Sequence, residues 1–275
     1  MQARVANHEP VINQIAQVWS STVKACDRLG NSQWDEPTDC PGWTVKDQLS
    51  HLIGIERMML GDSSPELADV PVHVTNSFGE INEAWVDARR SVPGGEVLEE
   101  FVEVTHRRLD ALRAMPPAKF DEVGWSPVGE VPFREFMQTR ILDSWAHEQD
   151  VRRAVGRPGG RNGVGEAAVL DRCERSMPYV VGKRVAPRDG TAVLFSVAGV
   201  MGRQILVTMD SGRASRAPLP SAVAPTVMLT MDQETFWRLG FGRVAPVRVV
   251  ASGQVRVDGD MAIGHKVLES MAFMP

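Results

Sequence analysis

Apolar residues return every third or fourth position through the first part of the chain, up to about Val155, and beyond it the pattern changes to short alternating runs. Between Glu9 and Leu29 the residues Ile12, Ile15, Trp19, Val23 and Cys26 keep that spacing, which predicts an amphipathic helix with one buried face. Pro37, Thr38, Asp39, Pro41 and Gly42 are turn chemistry, so Gly30 to Trp43 reads as a loop. Thr44 then caps a second helix with Asp47 at the capping-box position, and Val45, Leu49, Leu52, Ile53 and Leu60 point inward. His51 falls at the edge of that stripe. A polar connection from Gly61 to Pro71 leads to a helical segment marked by Phe78, Ile81, Trp85 and Ala88, ending near Pro93. Leu98, Phe101, Val102, Leu109 and Leu112 mark another, up to Pro116. Pro116 to Pro132 reads as a loop holding Trp125, and Phe133 to Val155 as the last long helix.

That last helix carries Phe136, Arg140, Asp143, His147 and Ala154 along one face, a polar stripe in a segment otherwise built for a core. Burying Arg, Asp and His unpaired costs roughly several kcal/mol, so a metal, the groups themselves or a water-filled pocket must satisfy them. Five glycines and a proline between Gly156 and Gly165 are the clearest break in the chain and set the expected domains at 1–157 and 164–275. Past the break a short helix, Glu166 to Met177, precedes strands at Ala192 to Ala198 and Gln204 to Met209, with Gly199 and Gly202 between them, and a turn at Asp210 to Gly212. Thr226 to Met231 reads as a buried strand, Asp232 as the cap of a helix from Gln233 to Leu239, and Val247 to Ala251 and Gln254 to Val257 as two short strands. Asp260 caps a closing helix, Met261 to Met271. The predicted class is an all-helical bundle followed by a small α+β domain.

Composition narrows the options. At 275 residues and 43% hydrophobic content the chain can build a core, and a net charge of −5 leaves no basic footprint for a nucleic acid. Only five of the 30 basic residues are lysine, a bias typical of GC-rich genomes. The amino terminus shows no basic stretch followed by an apolar core, and no run is long enough to span a membrane, so a cytoplasmic protein is expected. Cys26, Cys40 and Cys173 are odd in number and lack CxxC spacing, which argues against a disulfide framework. Cys26 lies on an apolar stripe, and Cys40, before Pro41, reads as turn structure.

Asp143 and His147 are one helical turn apart, so a carboxylate and an imidazole share a face; with His51 from the second helix they make a candidate three-ligand divalent-metal site with open positions. Glu148 is rotated by roughly 100° from His147 and cannot share that metal. Asp150 fits an arginine partner, or an acceptor behind a ligating histidine. His8, His73, His106 and His265 read as surface or packing residues. There is no phosphate-binding glycine loop, nucleophile elbow or HExxH motif.

Trp34, Pro37, Thr38, Cys40 to Asp47, Leu49, His51 and Leu52, followed by Asp143, Trp145, His147, Glu148, Asp150 and Gly156 to Pro158, resemble the mycothiol-dependent maleylpyruvate isomerase family of the DinB-like superfamily. The resemblance implies a DinB-like four-helix bundle holding zinc or a similar divalent metal through the positions of His51, Asp143 and His147. The stretches Thr235 to Arg243 and Gly253 to Asp260 resemble the family's carboxy-terminal domain, which is similar to sterol-carrier-protein folds. The family pattern has Glu where this chain has Asp143, a ligand shorter by one methylene. The resemblance also implies an arginine from the second domain near the substrate, for which Arg238, Arg243 and Arg256 are the candidates. The implied activity is thiol chemistry with mycothiol as co-substrate and a small electrophile as substrate, either isomerisation or S-transfer. A non-catalytic small-molecule or lipid carrier with a structural or vestigial metal is the alternative, and a stress-linked regulator with a vestigial site a third.

Overall fold

The computed structural model describes residues 9–126 and 129–274. The first helix, α1 (Pro10–Cys26), starts on a proline and buries Ile12, Ile15, Val18, Trp19 and Cys26, while Val23 stays half-buried and Thr22 takes its place inside. The predicted loop after it contains a short helix, α2 (Asn31–Trp34), whose Trp34 is buried. A backbone bridge between Pro37 and Thr44 closes the turn that follows. Thr44 then caps α3 (Val45–Met59): its hydroxyl accepts from the Asp47 amide, and the Asp47 carboxylate accepts from the Thr44 amide.

The chain continues through α4 (Ser77–Asp87), α5 (Gly94–Ala114) and α6 (Phe133–Ala154). Helix α1 packs on α5 and α6, α3 packs on α5 and α6, and α4 covers α3. These packings form the expected bundle. Between α5 and α6 the structure differs from the loop predicted there. A 3-10 turn, Pro117–Asp121, buries Phe120, and an antiparallel hairpin follows, β1 (Val123–Ser126) with β2 (Gly129–Pro132). Both strands are short and largely solvated, with Trp125 71% exposed, so they lack the alternating burial that a sequence signal requires.

The chain divides into two compact units, residues 1–168 and 169–275, with the seam inside α7 (Val164–Tyr179). In the second unit β3 (Ala192–Ala198), β4 (Arg203–Asp210), β5 (Arg213–Ala217), β6 (Val227–Asp232) and β7 (Val255–Gly259) form, among the described residues, one sheet in the order β5-β4-β3-β6-β7. Strands β3 and β6 are parallel and the other pairs antiparallel. Val193, Phe195 and Val197 alternate into the core with Leu194 and Ser196 on the half-buried side. Edge strand β5 went unread because Arg213, Ser215 and Arg216 give it no apolar alternation.

Helices α8 (Gln233–Gly240) and α10 (Met261–Glu269) are capped by Asp232 and Asp260. The predicted strand at Val247 to Ala251 is instead a helix, α9 (Pro246–Ala251). Pro246 at its first position has the backbone angle a helix start needs and no amide to leave unpaired, which outweighs the valine content. Among the described residues no helix is long and apolar enough to cross a membrane. The fold is therefore a helical unit followed by an α+β unit with a mixed sheet.

Candidate metal centre

Helices α3 and α6 bring their polar residues together inside the bundle. His51 is 4% exposed and His147 is buried as well, whereas Asp143 keeps 24% of its side chain open. His51 Nε2 lies 3.3 Å from Asp143 Oδ2, and His147 Nε2 lies 3.5 Å from Asp143 Oδ1. The two imidazole centroids are 4.7 Å apart. A tetrahedral ion with bonds of about 2.0–2.1 Å holds neighbouring ligand atoms roughly 3.3 Å apart; each histidine stands near that distance from one oxygen of Asp143, and one ligand atom from each of the three residues lies within 4.8 Å of the others. Buried His51 Nδ1 has no hydrogen-bond partner among the described residues. The residues present therefore fit a divalent ion.

The protonation states of His51 and Asp143 suit a ligand set, whereas His147 must lose a proton to bind an ion. Burial lowers the His51 pKa to about 4, against the pull of Asp143, which keeps its ring neutral near pH 7. Burial alone would raise the Asp143 carboxyl, but Arg140 above all, together with the two histidines, holds it well below the usual carboxylate range. Burial disfavours the charged form of His147 too, yet Asp143 and Asp150 outweigh it and raise its pKa.

Arg140 supplies the frame. Its Nη1 donates to Asp143 Oδ2 at 2.6 Å and its Nε to Glu56 Oε1 at 2.9 Å. Glu56 is fully buried on α3, and Arg108 from α5 donates to its other oxygen at 3.2 Å. Two arginines and two carboxylates thus balance one another in the core, which accounts for the polar stripe on α6.

His147 is oriented from behind. Its Nδ1 is 2.5 Å from Gln48 Oε1 and 3.5 Å from Asp150 Oδ2. Gln48 is fully buried and donates through Nε2 to Thr38 Oγ1 at 2.8 Å. A ligating histidine is normally fixed by such a partner on its other nitrogen. Trp43 walls one side, with its centroid 5.1 Å from that of His51 and 5.8 Å from that of His147, and its indole N–H donates to Glu83 Oε2 at 2.8 Å. Cys40, half-buried in the turn before α3, has a ligand atom within 4.8 Å of those of His147 and Asp150.

Glu148 points away, pairing with Arg152 and Ser21, which keeps it out of the site as helical rotation requires. Glu56, Gln48, Trp43 and the placement of Cys40 were not predicted. The available signal for two of them was position, because Gln48 and Glu56 stand on α3 three residues before and five after His51.

The three candidate arginines belong to the second unit. Arg238, on α8, is half-buried and donates to the Arg243 carbonyl at 3.4 Å. Arg243 is buried and donates to the Phe241 carbonyl at 3.0 Å. Arg256, on β7, is exposed and pairs with Asp258 at 2.9 Å. His106 and His265 are exposed as expected, His73 is half-buried against Glu83 at 3.1 Å, and His8 lies outside the described residues.

Comparison with known proteins agrees with this architecture. The family described as mycothiol maleylpyruvate isomerase N-terminal domain matches residues 15–152, and the SCP-2 sterol transfer family matches residues 172–271. Two uncharacterized proteins of Mycobacterium tuberculosis, one from strain CDC 1551 / Oshkosh and one from strain ATCC 25618 / H37Rv, are each 30% identical to the chain over 133 residues. The match covers 46% of this chain and 49% of theirs, so the chain spans about half the length of the curated relatives it matches. Among solved structures, the crystal structure of the mycothiol-dependent maleylpyruvate isomerase shares the fold, with a TM-score of 0.54 at 14% identity, over 90% of this chain and 92% of that one. With half of its length matched by the first family and the metal-spaced donors on the helices within it, the chain belongs to the mycothiol maleylpyruvate isomerase N-terminal domain family.

Proposed function

We propose that the protein is a metal-dependent enzyme of low-molecular-weight thiol chemistry, working in the cytoplasm with mycothiol or a close analogue on a small electrophilic substrate. The observation that carries the reading is the donor triangle of His51, Asp143 and His147, spaced at 3.3 and 3.5 Å and oriented from behind by Gln48 and Asp150. A zinc-class ion bound there lowers the pKa of a coordinating thiol, so that the nucleophilic thiolate is available near neutral pH.

The chain's own residues do the rest. Neutral His51 offers a nitrogen lone pair, oriented His147 does so once it gives up a proton, and Arg140 keeps Asp143 ionised and aimed. The Trp43 ring excludes water from one side of the histidine pair. An arginine of the second unit, from among Arg238, Arg243 and Arg256, would hold a carboxylate of the substrate through paired hydrogen bonds. Addition of the thiolate to a conjugated double bond, rotation and elimination of the same thiolate give isomerisation; protonation of the adduct's enolate carbon by the proton the thiol gave up gives a stable thioether, which is S-transfer.

Metal analysis of the purified protein, followed by thiol-conjugation assays on a panel of electrophiles, tests the reading. About one divalent ion per chain and a thiol-dependent turnover abolished by His51→Ala are expected. Metal-free protein that takes up no zinc, or turnover unchanged in His51→Ala, would leave the carrier alternative in its place.

A further inference from the structure

His147 has two faces, and the donor triangle uses one of them. Its Nε2 faces Asp143 at 3.5 Å, while its Nδ1 faces Asp150 Oδ2 at 3.5 Å. Cys40 joins the second face: the ligand atoms of Cys40, His147 and Asp150 all lie within 4.8 Å of one another. A thiol, an imidazole nitrogen and a carboxylate are the donor types a zinc-class ion takes, and the sulfur disfavours magnesium and calcium.

The turn holding the thiol is firmly built. The Cys40 amide donates to Thr38 Oγ1 at 3.2 Å, its carbonyl accepts from the Trp43 amide at 3.2 Å, and Asp39 pairs with Arg153 of α6 at 2.8 Å. Cys40 as a residue is half-buried, whereas Asp150 and His147 are buried.

We propose that Cys40, His147 Nδ1 and Asp150 form a second, thiolate-containing position for a zinc-class divalent ion, in competition with the His51–Asp143–His147 position for the same imidazole. The competition follows from the ring. A neutral imidazole has one nitrogen with a free lone pair and one bearing a proton. When Nε2 is the ligand, Nδ1–H donates to Gln48; when Nδ1 is the ligand, Nε2–H donates to Asp143 and the Gln48 amide must turn aside. One ion therefore chooses between an all-nitrogen-and-oxygen set open to substrate and a sulfur-containing set that draws His147 away from it. This inference shares His147 with the proposed function, so its test removes the partners that are not shared.

Cobalt(II) is the probe, because thiolate ligation adds a sulfur-to-cobalt charge-transfer band in the near ultraviolet that nitrogen and oxygen ligands lack. His51→Ala, which disables the first position, is expected to bind cobalt with that band and to shield Cys40 from alkylation by iodoacetamide. Adding Cys40→Ser in the same background is expected to abolish the band and weaken cobalt binding at least tenfold. Cys26 and Cys173 are fully buried and serve as internal controls for the alkylation. If the His51→Ala protein, shown to be folded by circular dichroism, lacks the band, or if the band survives Cys40→Ser, the second position does not exist. Cys40→Ser alone keeps only the first position. Cobalt bound by that variant without the band supports the metal-dependent reading of the first site, and failure to bind sinks that reading while leaving the His51→Ala result to stand by itself.

Discussion

Asp143 works as a ligand candidate because of what holds it. An aspartate, one methylene shorter than a glutamate, has to stand close to both histidines, and Arg140 fixes it there with a 2.6 Å hydrogen bond while Glu56 fixes Arg140. The same logic applies to His147, whose ring plane and tautomer depend on Gln48. Replacing Gln48 by Ala removes an acceptor without touching a donor of the triangle. Zinc affinity, measured by competition with a chromophoric chelator in a Cys40→Ser background that keeps only the first position, should fall about 10–100-fold, the usual effect of losing such a partner. Gln48→Glu, which keeps an acceptor in place, should recover most of it. An unchanged affinity in Gln48→Ala would mean that Asp150 alone orients the ring. The contacts of Gln48 and Glu56 were not legible in the sequence, because the partners are far apart in the chain: 99 residues separate Gln48 from His147 and 84 separate Glu56 from Arg140. Spacing rules reach one helical turn, and they found Asp143 with His147 for that reason.

Among the elements, periodicity was readable wherever burial was one-sided. Helices α1, α3, α5 and α6 announced themselves by their apolar stripes and, for α3, by the Thr44–Asp47 cap. The β1–β2 hairpin and edge strand β5 are largely solvated, and α9 is valine-rich, so the hydrophobic pattern carried no information about the first two and the wrong information about the third. Helix α3 meets α4 closely because Gly54 has no side chain: a Cβ there would run into the Trp85 ring. Gly54→Ala should therefore cost about 1–3 kcal/mol in urea unfolding, despite the better helix propensity of alanine. Helix α4 in turn ties down the turn that carries Trp43. Glu83 is buried and accepts from the Trp43 indole and His73, and pairs with Arg90. Burial works against its ionised form, but these donors win and lower its pKa below the ordinary 4.5. The stabilisation it contributes is thus complete above about pH 4.5 and is lost as the pH falls toward the lower folded value. The stability gap between the wild type and Glu83→Gln should shrink on acidification through that window, as read from urea midpoints at a series of pH values. A gap that stays constant would show that the carboxylate's charge does not contribute.

For the whole molecule, the change in hydrophobic grammar after the glycine-rich break was the strongest sequence signal; the structure divides into one helical unit and one with a mixed sheet, with the seam at residues 168 and 169, inside α7. The parallel pairing of β3 with β6 was invisible, since no local pattern distinguishes a strand's direction. All donors of the candidate centre, and those of the second position, come from the first unit. Binding of an ion by the folded form alone stabilises that unit by RT ln(1 + [L]/Kd), about 2.7 kcal/mol at a free concentration 100 times Kd. Scanning calorimetry therefore has a specific expectation. Zinc should raise the transition assigned to the helical unit and leave that of the α+β unit where it is. EDTA should reverse the shift, and His51→Ala combined with Cys40→Ser should erase it. A zinc shift that survives in the double variant would place the ion outside both donor groups, and a shift confined to the α+β transition would place it in the other unit.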